Sequence, residues 1–144
     1  MNPLTIIMIV FIVLEMTNVL ALYFFPGTKY ANAAGVFNAW EKSKADPEIH
    51  AFVKYLVNWV AGTKLIFIFL MIVILVAAGD RLLVYAGVAL VTAIASFYWR
   101  LFPLIRKMDE SGQIQPNKYS VTLGWMIGFI IMVFLSAIFL SLPG

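Results

Sequence analysis

Four long stretches of apolar residues divide the chain, and polar or turn-forming residues bound each of them. They cover approximately residues 3–25, 60–79, 82–101 and 119–142. An α-helix needs about 20 apolar residues to cross the hydrocarbon core of a bilayer, and each stretch reaches that length. We therefore predict an all-α integral membrane protein with four transmembrane helices in an antiparallel bundle, which form one domain over residues 1–144.

The first connection, residues 26–59, is too long for a simple turn and contains its own helix signal. Asp46, Pro47 and Glu48 place a side-chain acceptor, a residue without a backbone N–H and a negative charge where a helix N-terminus favours each of them. The predicted helix continues into the second apolar stretch. Its earlier apolar positions recur at helical spacing, so we expect an amphipathic helical segment in this connection.

Composition and charge agree with a membrane location. Hydrophobic residues make up 63% of the chain and charged residues 12%, which excludes a water-soluble core. Eight of the ten lysines and arginines lie in or beside residues 26–59 and 102–118, whereas Arg81 occupies the turn between the second and third stretches. By the positive-inside rule, we expect a multi-pass protein of the cell (inner) membrane with both of these connections in the cytoplasm and both termini outside.

Residue types exclude several kinds of chemistry. The chain has no cysteine, and His50 is its sole histidine, so thiolate and polyhistidine metal sites are excluded and no cofactor is predicted. No basic patch lies on a folded, water-exposed domain, and nucleic acid is therefore not expected as a partner. The expected partners are membrane lipids, together with further copies of the chain or a partner membrane subunit.

Glu15 lies near the middle of the first apolar stretch, where an acidic side chain costs about 2.5 to 3.5 kcal/mol on insertion scales. Asn18 follows one helical turn later on the same face, so the two side chains predict a polar patch that turns toward other helices. This patch is either a proton- or cation-binding site or a hydrogen-bonded contact that fixes helix packing. The sequence leaves both interpretations open.

Lys64 is the nearest candidate partner for Glu15. At a rise of about 1.5 Å per residue, Lys64 lies roughly 6 Å inside the membrane edge when counted from Val60. Glu15 lies about 15 Å inside the same edge when counted from the end of the first stretch. This difference in depth favours a lysine that extends its ammonium back to the interface. A direct ion pair requires the lysine to reach inward or the helices to shift.

One polar stripe follows the predicted helix into the second stretch. The stripe comprises His50, Lys54, Asn58 and Lys64, which lie within an arc of about 120° around the helix axis. The stripe is the mouth of a polar pathway, an anionic-lipid site or the water-facing side of an amphipathic helix. The candidate lipid-binding residues are His50, Lys54 and, at the end of the third stretch, Arg100. The candidate ion- or substrate-binding residues are Glu15, Asn18, Asn58 and Lys64.

Gly124 and Gly128 form a GxxxG pattern in the fourth stretch. Small residues at this spacing let helix backbones approach closely in a membrane. We therefore predict a helix-packing face there, either within the chain or between copies of it.

Three functions fit these observations. The favoured one is an oligomeric transporter or channel for a proton, cation or small solute, because a carboxyl near the bilayer midplane is costly to keep for packing alone. The first alternative is an accessory or structural subunit of a larger membrane complex, docked through the first connection. The second alternative is a lipid-modifying enzyme that uses the polar stripe, although no nucleophile, base or metal constellation is visible and an enzyme is not predicted.

Overall fold

The computed structural model describes residues 2–142 and is built from helices. In chain order they are α1 (Pro3–Phe24), a 3-10 turn (Ala34–Val36), α2 (Asn38–Ser43), α3 (Pro47–Ala77), α4 (Asp80–Ala95), α5 (Phe97–Glu110) and α6 (Tyr119–Ser141). Four helical spans are long and apolar enough to cross a membrane, namely Pro3–Phe24, Pro47–Ala77, Asp80–Glu110 and Tyr119–Ser141. The prediction of an all-helical protein with four candidate membrane spans is confirmed.

Helix α3 begins where the cap signal predicted. The Asp46 carboxylate accepts the backbone N–H groups of Glu48 and Ile49 at 2.9 and 3.2 Å, and Pro47 occupies the first helical position. The helix then runs through 31 residues to Ala77 without a break. At about 1.5 Å per residue its length is about 46 Å, which exceeds the roughly 30 Å of a hydrocarbon core. Part of α3 therefore extends beyond any membrane that its apolar half crosses.

The helix that follows the third apolar stretch is longer than the sequence predicted. We expected a connection over residues 102–118, but α5 continues through Pro103 to Glu110. The irregularity lies earlier, at Ser96, whose hydroxyl donates to the Ala93 carbonyl at 2.6 Å. Proline removes one backbone donor from a helix, and Pro103 lies on the exposed surface of the single chain.

Helix α1 lies at the centre of the packing and contacts α3, α4 and α6, while α4 also packs on α6. The Phe11 ring meets the rings of Phe67 and Phe134 edge to face, at centroid distances of 6.4 and 5.5 Å. Phe134 is 1% exposed, so this aromatic contact forms the middle of the core. Two other spans, α3 and α6, thus contact one side chain of α1.

The connections fold over one end of the bundle, which we call the capped end. Backbone bonds of 2.9 Å from Asn38 to Gln113 and of 2.8 Å from Gln115 to Val36 join the first connection to the segment before α6. Beneath this junction Val36 and Ile114, both fully buried, pack with Ile105 and Leu123. The first connection is therefore a packed layer against α5 and α6.

Gly35 makes this layer possible. A Cβ atom at residue 35 would lie 2.0 Å from the carbonyl oxygen of Gly27, because two passes of the first connection cross there in backbone contact. Only a residue without a side chain fits such a crossing.

Candidate functional site

Glu15, Asn18 and Lys64 meet between α1 and α3, and we call them the Glu15 cluster. The Lys64 ammonium donates to the Glu15 carboxylate at 2.6 Å and to the Asn18 side-chain oxygen at 2.7 Å. Both acceptors come from one face of α1, where residues three apart are neighbours. Of the two arrangements that the sequence left open for Lys64, the structure has the direct ion pair.

The helix register explains why Lys64 reaches Glu15. The Tyr23 hydroxyl lies 3.4 Å from the position that a Cβ atom on Gly62 would occupy. Further along both helices, the Phe11 ring contacts the Phe67 ring. Lys64 lies between these levels, so it is beside Asn18 and one turn from Glu15. Depths counted along each helix separately do not show this contact, because it depends on how α1 is aligned against α3.

Asn18 connects the Glu15 cluster to the capped end. Its side-chain N–H donates to the backbone carbonyl of Ala31. Ala31 and its neighbour Asn32 both have left-handed backbone conformations, with φ of 52° and 53°, which non-glycine residues rarely adopt. The Tyr119 hydroxyl donates to the Asn32 side chain at 2.5 Å. A continuous run of polar contacts therefore links α3, α1, the first connection and the start of α6.

The Glu15 cluster is not fully enclosed by the chain. Asn18 is buried, but 29% of the Lys64 side chain and 23% of the Glu15 side chain remain accessible. Within the described residues, every buried side-chain nitrogen or oxygen atom has a hydrogen-bond partner. The cluster is thus internally satisfied, with one side open to whatever surrounds the bundle.

The four residues of the polar stripe on α3 divide between two different sites. His50, Lys54 and Asn58 line an open groove of about 620 Å³, which we call the α3 groove; Lys44, Pro47, Ala51 and Tyr55 complete its lining. Lys64 is absent from this lining and belongs to the Glu15 cluster. Residues four apart on a helix advance by about 40° around its axis, so the stripe turns away from α1 between His50 and Asn58.

His50 is held in place by α2. Its Nδ1 lies 2.8 Å from the Ser43 hydroxyl, which is also 2.8 Å from the Trp40 carbonyl oxygen, and the Trp40 ring packs edge-on against the imidazole at 5.0 Å. Ser43 is buried, and sequence reasoning missed it because a lone serine in a polar connection carries no periodic or spacing signal. This contact fixes α2 to α3 beside the α3 groove.

The remaining predicted residues lie elsewhere. The Arg100 guanidinium is 6.0 Å from the Trp99 ring centroid and lines neither the α3 groove nor the Glu15 cluster. Gly124 and Gly128 face α5 of the same chain. A Cβ on Gly124 would lie 2.8 Å from the Phe102 ring, and the Tyr98 hydroxyl donates to the Gly124 carbonyl at 2.6 Å. Both glycines of the GxxxG pattern therefore contact aromatic side chains of α5 within the chain.

Asp109 is a second polar residue that the sequence did not single out. Its carboxylate accepts the backbone N–H of Lys118 at 3.1 Å and both the N–H and the hydroxyl of Ser120, at 2.8 and 2.6 Å. The last turn of α5 therefore caps the start of α6. This cap acts across a loop of eight residues, 111–118, and a local sequence signature does not reveal it.

The described part of the chain, residues 2–142, contains no group of three or more histidine, aspartate or glutamate side chains that could hold a metal ion. Comparisons with protein-family models, with curated proteins and with solved structures give no match to this chain.

Proposed function

We propose that this protein is an oligomeric transporter or channel for a proton, cation or small solute, with the Glu15 cluster as its working site. In this proposal the four spans form an antiparallel bundle, both termini lie outside, and connections 26–59 and 102–118 face the cytoplasm. The amphipathic start of α3 then lies at the cytoplasmic surface. The carrying observation is the partial exposure of two charged side chains that lie within apolar spans.

Exposed charge at membrane depth requires a polar neighbour. A charged side chain that faces lipid near the bilayer centre costs several kcal/mol, so such groups face a protein interior or a water-filled cavity. On the single chain, about a quarter of the Glu15 and Lys64 side chains is left uncovered. A second copy of the chain that covers this side, with water between the copies, supplies the polar surroundings and forms a pathway that four spans alone are too few to enclose.

The proposed working cycle alternates between the two arrangements open to Lys64. With Glu15 ionised, Lys64 is paired and the net charge of the cluster is zero. When Glu15 takes up a proton, the ion pair is lost and the Lys64 ammonium extends toward the interface. A proton or a competing cation on Glu15 thereby frees Lys64, and Asn18 transmits the change to the first connection through its bond to the Ala31 carbonyl.

The test is ion flux in proteoliposomes that hold the purified full chain. Vesicles loaded with a pH-sensitive dye are given imposed potassium, sodium or proton gradients, and internal pH is followed with time. We expect Glu15→Gln to lower the flux at least tenfold, because the amide cannot exchange a proton at this position, while the oligomer seen by size-exclusion chromatography is unchanged.

The matched control is Glu48→Gln, which makes the same chemical change at an exposed position in the first turn of α3. It is expected to keep the wild-type flux. Equal flux in the wild-type and Glu15→Gln vesicles would contradict the proposal and leave the Glu15 cluster as a packing contact.

A second candidate function is supported by an apolar face on α3. Ile49, Phe52 and Leu56 lie on one side of the helix before its membrane half and are 53%, 59% and 37% exposed. Exposed apolar residues at this spacing fit a groove on another protein. We infer from this face the alternative of an accessory subunit in a larger membrane complex. Isolation from native membranes as a free homo-oligomer, without a stoichiometric second protein, would count against it.

A further inference from the structure

The geometry points to a binding site for the phosphate headgroup of an anionic phospholipid in the α3 groove. The lining is rich in hydrogen-bond donors and contains no aspartate or glutamate; its polar members are Lys44, His50, Lys54, Tyr55 and Asn58. Phosphate oxygens are acceptors and carry negative charge, so a donor-rich wall without carboxylates is complementary to them. The inference concerns a different surface from the Glu15 cluster and does not rest on the transport function.

Lys54 is the cation available to a ligand. The Lys44 ammonium already contacts both oxygens of the Glu41 carboxylate at 2.8 Å. Among residues 2–142, Lys54 has no carboxylate within ion-pair distance. Asn58 lies one turn further along the same helix, on the same wall of the groove. A phosphate between these two side chains receives an ammonium and an amide N–H from a rigid helix.

The groove lies at the height of lipid headgroups. From Val60 to Ala77, α3 has 18 residues, or about 27 Å of helix, which matches the thickness of a hydrocarbon core. Asn58 and Lys54 precede this part by about 3 and 9 Å along the axis. The headgroup layer occupies roughly the next 5 to 8 Å on each side of the core, so Asn58 lies within this layer and Lys54 lies at its outer edge.

An aromatic pair beside the groove supports this placement. Tyr55 lines the groove, and its ring lies 6.1 Å from the ring of Trp59 one turn later. Both side chains are about 60% exposed on the single chain. Tyrosine and tryptophan are enriched at the membrane–water interface because their rings are apolar and their polar tips are hydrated. A lipid whose acyl chains cover these rings holds its phosphate at Lys54 and Asn58.

The test is native mass spectrometry of the detergent-solubilised full chain, titrated with phosphatidylglycerol or with phosphatidylcholine. We expect tighter retention of phosphatidylglycerol, and a loss of about fivefold in its affinity for Lys54→Gln, the effect of one basic residue near an anionic surface. Lys54→Arg should retain the affinity. Asn58→Ala provides a second variant on the same wall, with a smaller loss.

The control variant is Lys42→Gln, which removes one exposed positive charge from the same connection but does not line the groove. Its affinity for phosphatidylglycerol should equal that of the wild type. Equal losses in Lys42→Gln and Lys54→Gln would overturn the site in favour of diffuse attraction, as would equal retention of the two lipids. Displacement of phosphatidylglycerol by inorganic phosphate at comparable concentration would overturn the assignment to a lipid and indicate a site for free phosphate.

Discussion

Removal of either charge from the Glu15–Lys64 pair should destabilise the bundle, and removal of both should restore most of the loss. The apolar replacements Glu15→Leu and Lys64→Met have side chains close in size to those they replace. Lys64→Met leaves the Glu15 carboxylate without its partner at membrane depth, and Glu15→Leu forces the Lys64 ammonium out of its 2.6 Å contact. The double variant leaves no charge there.

The magnitude follows from the burial of the pair. Breaking a fully buried ion pair by deleting one partner costs about 3 to 5 kcal/mol, whereas an exposed pair contributes about 0.2 to 1 kcal/mol. The Lys64 and Glu15 side chains are 29% and 23% accessible, which places them between these limits. We expect each single variant to lose about 2 kcal/mol of unfolding free energy, roughly a thirtyfold change in the equilibrium constant, and the double variant to lose less than either.

The assay is equilibrium unfolding of the purified protein in mixed micelles, with the four members of the cycle compared under one set of conditions. The control cycle uses Arg106 and Glu110, an ion pair of 2.9 Å on the surface of α5 with both side chains more than 60% accessible. Its coupling should stay near 0.5 kcal/mol or below, an estimate of about the size found for exposed helix pairs. Losses at Glu15 and Lys64 that simply add in the double variant would refute the reasoning.

Two further predictions concern the capped end. Gly35→Ala should lower the unfolding free energy by about 3 kcal/mol or more, because its Cβ would lie 2.0 Å from the Gly27 carbonyl oxygen. Protease resistance of the first connection measures this loss. Gly79→Ala is the neutral control, because no atom lies within 4 Å of its new Cβ. Asp109→Ala should cost about 1 to 2 kcal/mol by removing the cap of α6. Faster amide hydrogen exchange at Ser120 would show it, and unchanged exchange would contradict it.

Local signals in the sequence were sufficient for the helices. The four apolar stretches predicted the four candidate spans, and Asp46-Pro47-Glu48 predicted the start of α3. Both predictions succeed because helix length and capping depend on residues close together in the chain. The start of the connection predicted at residue 102 lies instead within α5, which continues to Glu110. A proline removes one backbone donor and can kink a helix, but α5 continues through Pro103, so the residue type alone does not fix where a helix ends.

The candidate site was predicted only in part. Glu15, Asn18 and Lys64 were each singled out by the cost of a polar group in an apolar helix, which is a property of single positions. Their mutual contact depends on the register of α1 against α3, which is set by the fit of core side chains such as Phe11 and Phe67. No spacing within one helix encodes that register.

By itself the sequence determined that the chain is helical, that it has four spans, and which polar side chains lie within them, because hydrophobic length and helix capping are local physics. The tertiary structure decided that Lys64 pairs with Glu15 and leaves the polar stripe, and that Gly124 packs on α5. It also decided that the first connection folds onto the bundle. These features depend on which helix surfaces pack together. Close packing selects one arrangement among several that bury similar amounts of apolar surface.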